Sequence, residues 1–289
     1  MKARPARKSL PKATVCLTVD FDAVSIWMTW GATGNRAMSR GEFGGNVGAS
    51  RLLDLFDRLK VTSTWFIPGH TVDSYPDVVR RVHTDGHEIG NHGYAHEQFD
   101  KLNPDQVRDV VMRGNTAIEH ITKKKTVGMR VPAGDFDGSL LRLLADLGFE
   151  YDSSMVGEFF PSWARDKDEL NFTGPNRLGK QLDLVELPLS FVMNDFCYFE
   201  FNYGNPLLTG SSDPDHVYRV WSQQFDYMYE RVDGGILNLT LHPQSVGWGL
   251  RIAMLEKFIQ HCKSRAGTRF ITCAQAAREF KEAVGQATA

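Results

Sequence analysis

Short β-branched runs recur along this chain, each followed by a stretch whose apolar residues fall at helical spacing, and that rhythm limits the fold more than any other feature. Residues 14–19 form an apolar run that ends in Asp20-Phe21-Asp22, and Leu52, Leu53, Leu55, Phe56 and Leu59 then make a helical stripe. The pattern repeats with strand-like segments at 62–67, 88–89, 127–131, 149–151, 184–189, 236–241 and 269–272. Helical segments between them are predicted near 76–84, after Pro104, at 139–147, 217–229 and 252–262, and from Ala274 onward. Alternation of this kind builds βα units on a parallel sheet. About seven such strands without a Gly-rich phosphate loop predict an α/β barrel or barrel-like sheet. Residues 153–183 are poorly periodic and are expected to decorate it. Residues 1–13 read as a basic tail, and 14–289 as a single domain. Gly41, Gly44, Gly45 and Gly48 read as a loop, a candidate lid.

Composition excludes several classes. The 289 residues carry 33 Lys and Arg against 35 Asp and Glu, a formal charge of −2, so no basic surplus marks a nucleic-acid partner. An apolar content of 42% with 24% charged residues excludes a wholly disordered chain. Lys2, Arg4, Arg7, Lys8 and Lys12 imitate the start of an export signal, but Pro5 and Pro11 interrupt the segment and the run at 15–19 stops at Asp20. No apolar stretch reaches about 18 residues, so no membrane span is expected, and a cytoplasmic location fits best. Cys16, Cys197, Cys262 and Cys273 form no C-x-x-C; each is expected to be a small buried hydrophobe in a reducing compartment.

The polar residues fall at strand ends. Asp20 and Asp22 close the first run, His92 the third, Arg130 the fourth, and His242 the run at 236–241. In parallel α/β folds strand C-termini converge on one face, where chemistry is built. Asp20 and Asp22 are two apart and share a side in extended chain, where a nearby cation would relieve their repulsion. His92 and His96 are four apart and share a face on a helical turn. Two imidazoles and one carboxylate suit zinc or a similar divalent ion, with a position left for water. His83 and His87 have the same spacing, but Gly86 between them indicates a turn, and they are read as structural. Arg130 is either a surface cation or the group that holds an Asp ionised through a bidentate contact. His242, before Pro243, is either a buried histidine or a general acid with an unperturbed pKa. Trp27, Trp30, Phe43 and Trp248 could wall a pocket or belong to the core.

In this order these residues resemble the polysaccharide deacetylase superfamily, the NodB-homology fold of carbohydrate esterase family 4. Thr18-Val19-Asp20-Phe21-Asp22 resembles its first motif with one residue inserted, His92-Gly93-Tyr94-Ala95-His96 its second, and residues 130–134 its Arg-x-Pro-x-Gly. Leu239-Thr240-Leu241-His242 resembles the last, with Thr240 where the family often has Leu. Residues 43–48, 65–70 and 183–188 look more like the branch without signal peptides, which includes peptidoglycan deacetylases and cyclic-imide hydrolases. The resemblance implies a distorted (β/α) barrel that hydrolyses C–N bonds. It implies a metal, zinc by expectation, on Asp22, His92 and His96, with Asp20 as base held by Arg130. It further implies His242 as acid, oriented by Asp152, and backbone N–H groups near Pro132 and Ala133 at the oxyanion. The expected substrate is an N-acetylated sugar or a small cyclic amide, imide or ureide, and a homo-oligomer is expected. Two rivals remain: a nucleotide-sugar transferase using Asp20-Phe21-Asp22 as a metal-diphosphate site, and a non-catalytic binding barrel.

Overall fold

The computed structural model describes residues 11–32, 34–132, 134–200 and 212–288, with side chains through 284. Expectations resting on Lys2, Arg4, Pro5, Arg7, Lys8 and Ala133 lie outside the described residues. Among the described residues nine strands form one sheet: β1 (Ala13–Asp20), β2 (Ser63–Ile67), β3 (Glu88–Asn91), β4 (Gly128–Met129), β5 (Tyr151–Asp152), β6 (Ser162–Asp166), β7 (Lys180–Glu186), β8 (Gly235–Leu241) and β9 (Thr268–Phe270). Their order is β6-β7-β5-β4-β3-β2-β1-β8, and β9 also pairs with β1. All pairings are parallel except β6 with β7. β1 lies next to the β8 end of the sheet: β8 runs along one of its edges, while β9 and β2 share the other. Every residue of β1 is buried, as an apolar run covered on both faces requires.

The α/β class and the curled, parallel-rich sheet agree with the sequence reading. Closure does not. No ladder joins β8 to β7 or β6 among the described residues, so the sheet is a half-barrel. Irregular chain fills the gap: Thr240 N donates to Met193 O at 2.8 Å, Asp195 N to Thr240 O at 3.1 Å, and Asn238 Nδ2 to Pro188 O at 3.0 Å. β6 was not legible in the sequence. It is an edge strand, solvated at Ser162 and Arg165, and a register shift between Trp163 and Arg165 breaks its alternation.

The glycine-rich segment is helical. Helix Asn35–Glu42 continues through a π-helical turn, Phe43–Gly48, into helix Ala49–Leu59, whose Leu52, Leu53 and Phe56 enter the core. Its glycines permit close approach: a Cβ on Gly44 would lie 2.9 Å from the Gln244 Cβ, and one on Gly48 only 2.1 Å from the Pro243 carbonyl oxygen. Packing against residues 243–247 explains these glycines. The helix Pro104–Thr122 begins as expected, with Pro104 in its first turn and Asn103 and Gln106 exchanging capping hydrogen bonds.

Candidate active site

β1 delivers Asp20 at its end and Asp22 just beyond, where the neighbouring strands also end. Asp20 Oδ1 accepts from Arg130 Nη1 at 2.8 Å, while Oδ2 lies 3.8 Å from His242 Nε2. Burial opposes the charge on Asp20, but Arg130, with His92 and His242, outweighs it and holds the carboxyl below its ordinary range. The Arg130 contact is single, not bidentate as expected. Ser153 takes the other nitrogens, accepting Nε at its carbonyl and Nη2 at its hydroxyl, both at 3.0 Å. Nη1 also reaches Thr18 Oγ1 at 2.8 Å and Thr240 Oγ1 at 3.3 Å, and the guanidinium lies 4.4 Å over the Phe66 ring. Thr240 thus serves as an acceptor for Arg130.

Asp22 is fully buried. Its Oδ2 accepts from Gln244 Nε2 at 3.1 Å; its Oδ1 has no hydrogen-bond partner. That oxygen lies 3.5 Å from His92 Nε2 and 3.8 Å from His96 Nε2, and the three candidate ligand atoms fall within 4.8 Å of one another. His92 Nδ1 donates to Arg130 O at 2.7 Å, which leaves Nε2 with a free lone pair. Burial lowers the His92 pKa to about 4 and pushes that of His96 well below its ordinary value, so both rings are neutral. Burial raises Asp22 to about 7. Two neutral imidazoles aimed at an orphaned carboxylate oxygen fit a divalent cation in chemistry and in arrangement. The histidines do not share a helix face, as their spacing predicted. They flank a loop after β3 in which Gly93 and His96 have φ of 72° and 60°.

His242 differs from expectation in two ways. Its Nδ1 is hydrogen-bonded to Asp195 Oδ1 at 2.6 Å, and its backbone N–H donates to Asp195 Oδ2 at 2.8 Å. Asp195 therefore orients it, and Asp152 does not. Asp152 is the register partner of Glu186 on β7 and binds Ser154, whereas Asp195 arrives on the irregular chain beside β8. The pKa of His242 is also perturbed: burial lowers it, but Asp195, Asp22 and Asp20 together raise it to about 9. Sequence reasoning missed Asp195 because it does not close a predicted strand; its one local signal is a polar Asn194-Asp195 pair among apolar neighbours.

The other singled-out residues fall outside this cluster. His87 Nδ1 accepts from Ser63 N at 3.1 Å, a structural role. Three cysteines are buried, but Cys197 is exposed, on a short helix whose other face packs inward. Trp27 is buried under Arg40, Trp30 is exposed, and Phe43 stacks on Trp248 at 4.3 Å. A cavity of about 400 Å³ opens beside the segments that follow β4, β5 and β7, lined by Phe136, Met155, Phe160, Trp163, Glu186 and Pro188.

Known proteins carry the same plan. The sequence profile of the polysaccharide deacetylase family matches residues 9–151. A peptidoglycan deacetylase of Helicobacter pylori is 31% identical over 281 residues, covering 92% of this chain and 95% of that protein. The chain belongs to the polysaccharide deacetylase family. In this family of C–N hydrolases, a Mycobacterium smegmatis protein assigned to the polysaccharide deacetylases superposes with a TM-score of 0.82 at 28% identity, over 97% of this chain and 94% of that one. An allantoinase superposes with a TM-score of 0.75 at 20% identity over 96% and 93%, a likeness of fold alone. Among the described residues, no helix of this deacetylase-family chain is long and apolar enough to cross a membrane.

Proposed function

We propose that this chain removes acetyl groups from N-acetylated amino sugars, with a zinc ion on Asp22, His92 and His96. The observation that carries the reading is the orphaned Asp22 Oδ1 facing two histidine nitrogens, with Asp20 and His242 beside it. A bound divalent ion polarises an amide carbonyl and acidifies water. Asp20, fixed through Oδ1 by Arg130, presents Oδ2 to take the proton of the attacking water. His242 carries a proton on Nε2 while Asp195 holds Nδ1, and it delivers that proton to the departing nitrogen. Without that step the amine leaves poorly as an anion.

The test is hydrolysis of N-acetylglucosamine oligomers, a cyclic imide and a ureide, with and without chelator. Acetate release from the sugars, abolished by chelator, supports the reading; turnover of the imide or ureide alone refutes it. Asp22→Ala is expected to lose both metal and activity, and Asp20→Asn to lose activity but keep metal. His92→Ala with unchanged metal content would favour the transferase rival, which has no use for the paired imidazoles.

A further inference from the structure

The donors of Arg130 that do not reach Asp20 lead to two carboxyl groups so far without a role. Ser153, which accepts both Nε and Nη2, opens a turn after β5. The next two backbone N–H groups, of Ser154 and Met155, donate to Glu186 Oε1 at 3.1 and 2.9 Å. Ser154 N also donates to Asp152 Oδ2 at 3.0 Å, and Ser154 Oγ donates to Asp152 Oδ1 at 2.9 Å. The same hydroxyl accepts from Val131 N at 2.8 Å, one residue past Arg130. Asp152 and Glu186 thus tie down both the turn that binds the guanidinium and the main chain that carries it.

These carboxyls are register partners on β5 and β7, both are buried, and they converge on a single N–H, that of Ser154. Two buried carboxylates brought this close repel each other, and a proton on one of them relieves the repulsion. Among the described residues no lysine or arginine donates to either, and Glu186 Oε2 has no hydrogen-bond partner. We propose that Asp152 and Glu186 share one proton and act as a positioning pair that sets the aim of Arg130 at Asp20. The role of Asp20 in this proposal rests on the deacetylase reading above. Aim matters because Arg130 Nη1 is divided among Asp20, Thr18 and Thr240 at 2.8, 2.8 and 3.3 Å. A small shift of the Ser153 turn would move that donor from the base to a threonine hydroxyl. Burial pushes Glu186 well above its ordinary range, reinforced by Asp152, and raises Asp152 to about 6, in keeping with one proton held at neutral pH.

The variants Glu186→Gln and Glu186→Ala separate the roles. Glutamine keeps Oε1 for the two backbone N–H groups and donates its NH₂ to Asp152, so kcat is expected to stay within about threefold of the unaltered enzyme, whereas alanine releases the turn and is expected to lower kcat about tenfold to 10²-fold. KM and metal content are expected to be unchanged in both. Should Glu186→Ala not fold, Glu186→Asp keeps the charge, shortens the reach, and is expected to lower kcat in the same sense. The infrared spectrum of the unaltered protein is expected to show a protonated carboxyl band that Glu186→Gln lacks, a readout independent of turnover. Equal kcat in alanine and unaltered enzyme, equal impairment in glutamine and alanine, or no such band would overturn the proposal. An unaltered enzyme that hydrolyses no N-acetyl sugar would instead overturn the deacetylase reading, and the infrared band would still decide whether the proton is shared.

Discussion

Replacing Gly48 by alanine tests whether the glycine-rich segment is a rigid buttress of the site. An added Cβ would sit 2.1 Å from the Pro243 carbonyl oxygen and 2.7 Å from its carbonyl carbon, where ordinary contact begins at 3.4 Å. Both partners are backbone, so no rotamer change relieves the clash, and the two segments must part by about 1.3 Å. Pro243 follows His242, and Gln244 donates to Asp22, so the movement reaches the proposed general acid and a proposed metal ligand together. Overpacking of this size costs about 1–3 kcal/mol, and a displacement near 1 Å at a catalytic group costs about 10²-fold in rate. Urea denaturation and kcat on an N-acetylated sugar, with metal content measured in parallel, read both effects. Gly249→Ala is the control, because a Cβ there meets nothing within 4 Å and both quantities should hold. A Gly48→Ala protein with unaltered stability and turnover would refute the reasoning and favour a mobile lid.

Three more outcomes are expected. Arg130→Met leaves Asp20 buried without its cation, so stability should fall by about 3–5 kcal/mol in chemical denaturation, and an unchanged midpoint would contradict the buried pair. Asp195→Ala should lower kcat about 10²-fold with metal content intact; turnover equal to the unaltered enzyme would remove Asp195 from the support of His242. Asp22 is raised from 3.8 to about 7 by burial, so the folded protein favours its protonated form. In metal-free protein its contribution is present below pH 4 and lost as pH rises through about 7, up to about 4 kcal/mol in all. Thermal unfolding of the metal-free protein should show this decline, Asp22→Asn should not, and zinc at about 100 times its Kd should add about 2.7 kcal/mol. Parallel pH curves for the two metal-free proteins would count against the assignment.

Much of the site was legible because a parallel sheet gathers its strand ends, so Asp20, Asp22, His92, Arg130 and His242 could be placed together from their positions after apolar runs. The helix spacing invoked for His92 and His96 was the wrong geometry with the right outcome. A left-handed turn at Gly93 and His96, not 3.6-residue periodicity, brings the two rings to Asp22. Glu186 fell inside the strand predicted at 184–189, but its pairing with Asp152 needs the β5–β7 register, and strands that are adjacent in space but not in sequence leave no mark in a periodicity. The glycines at 44 and 48 read as a loop because their reason is a close approach to Gln244 and Pro243, about two hundred residues away in the chain.

Local chemistry determined most of the strands and helices here, though not β6 or the helical glycine-rich segment, since burial on both faces demands unbroken apolar runs and helix starts demand caps and first-turn prolines. It also marked the candidate reacting groups, because carboxylates, imidazoles and a guanidinium gather at the strand ends. The tertiary structure decided the partners. A sheet left open between β7 and β8 admits irregular chain to the edge of β8, and that chain, not β5, brings the carboxylate that orients His242. Which carboxylate faces which imidazole depends on how a curled sheet fails to close, a global balance of packing and backbone hydrogen bonding that no local pattern encodes.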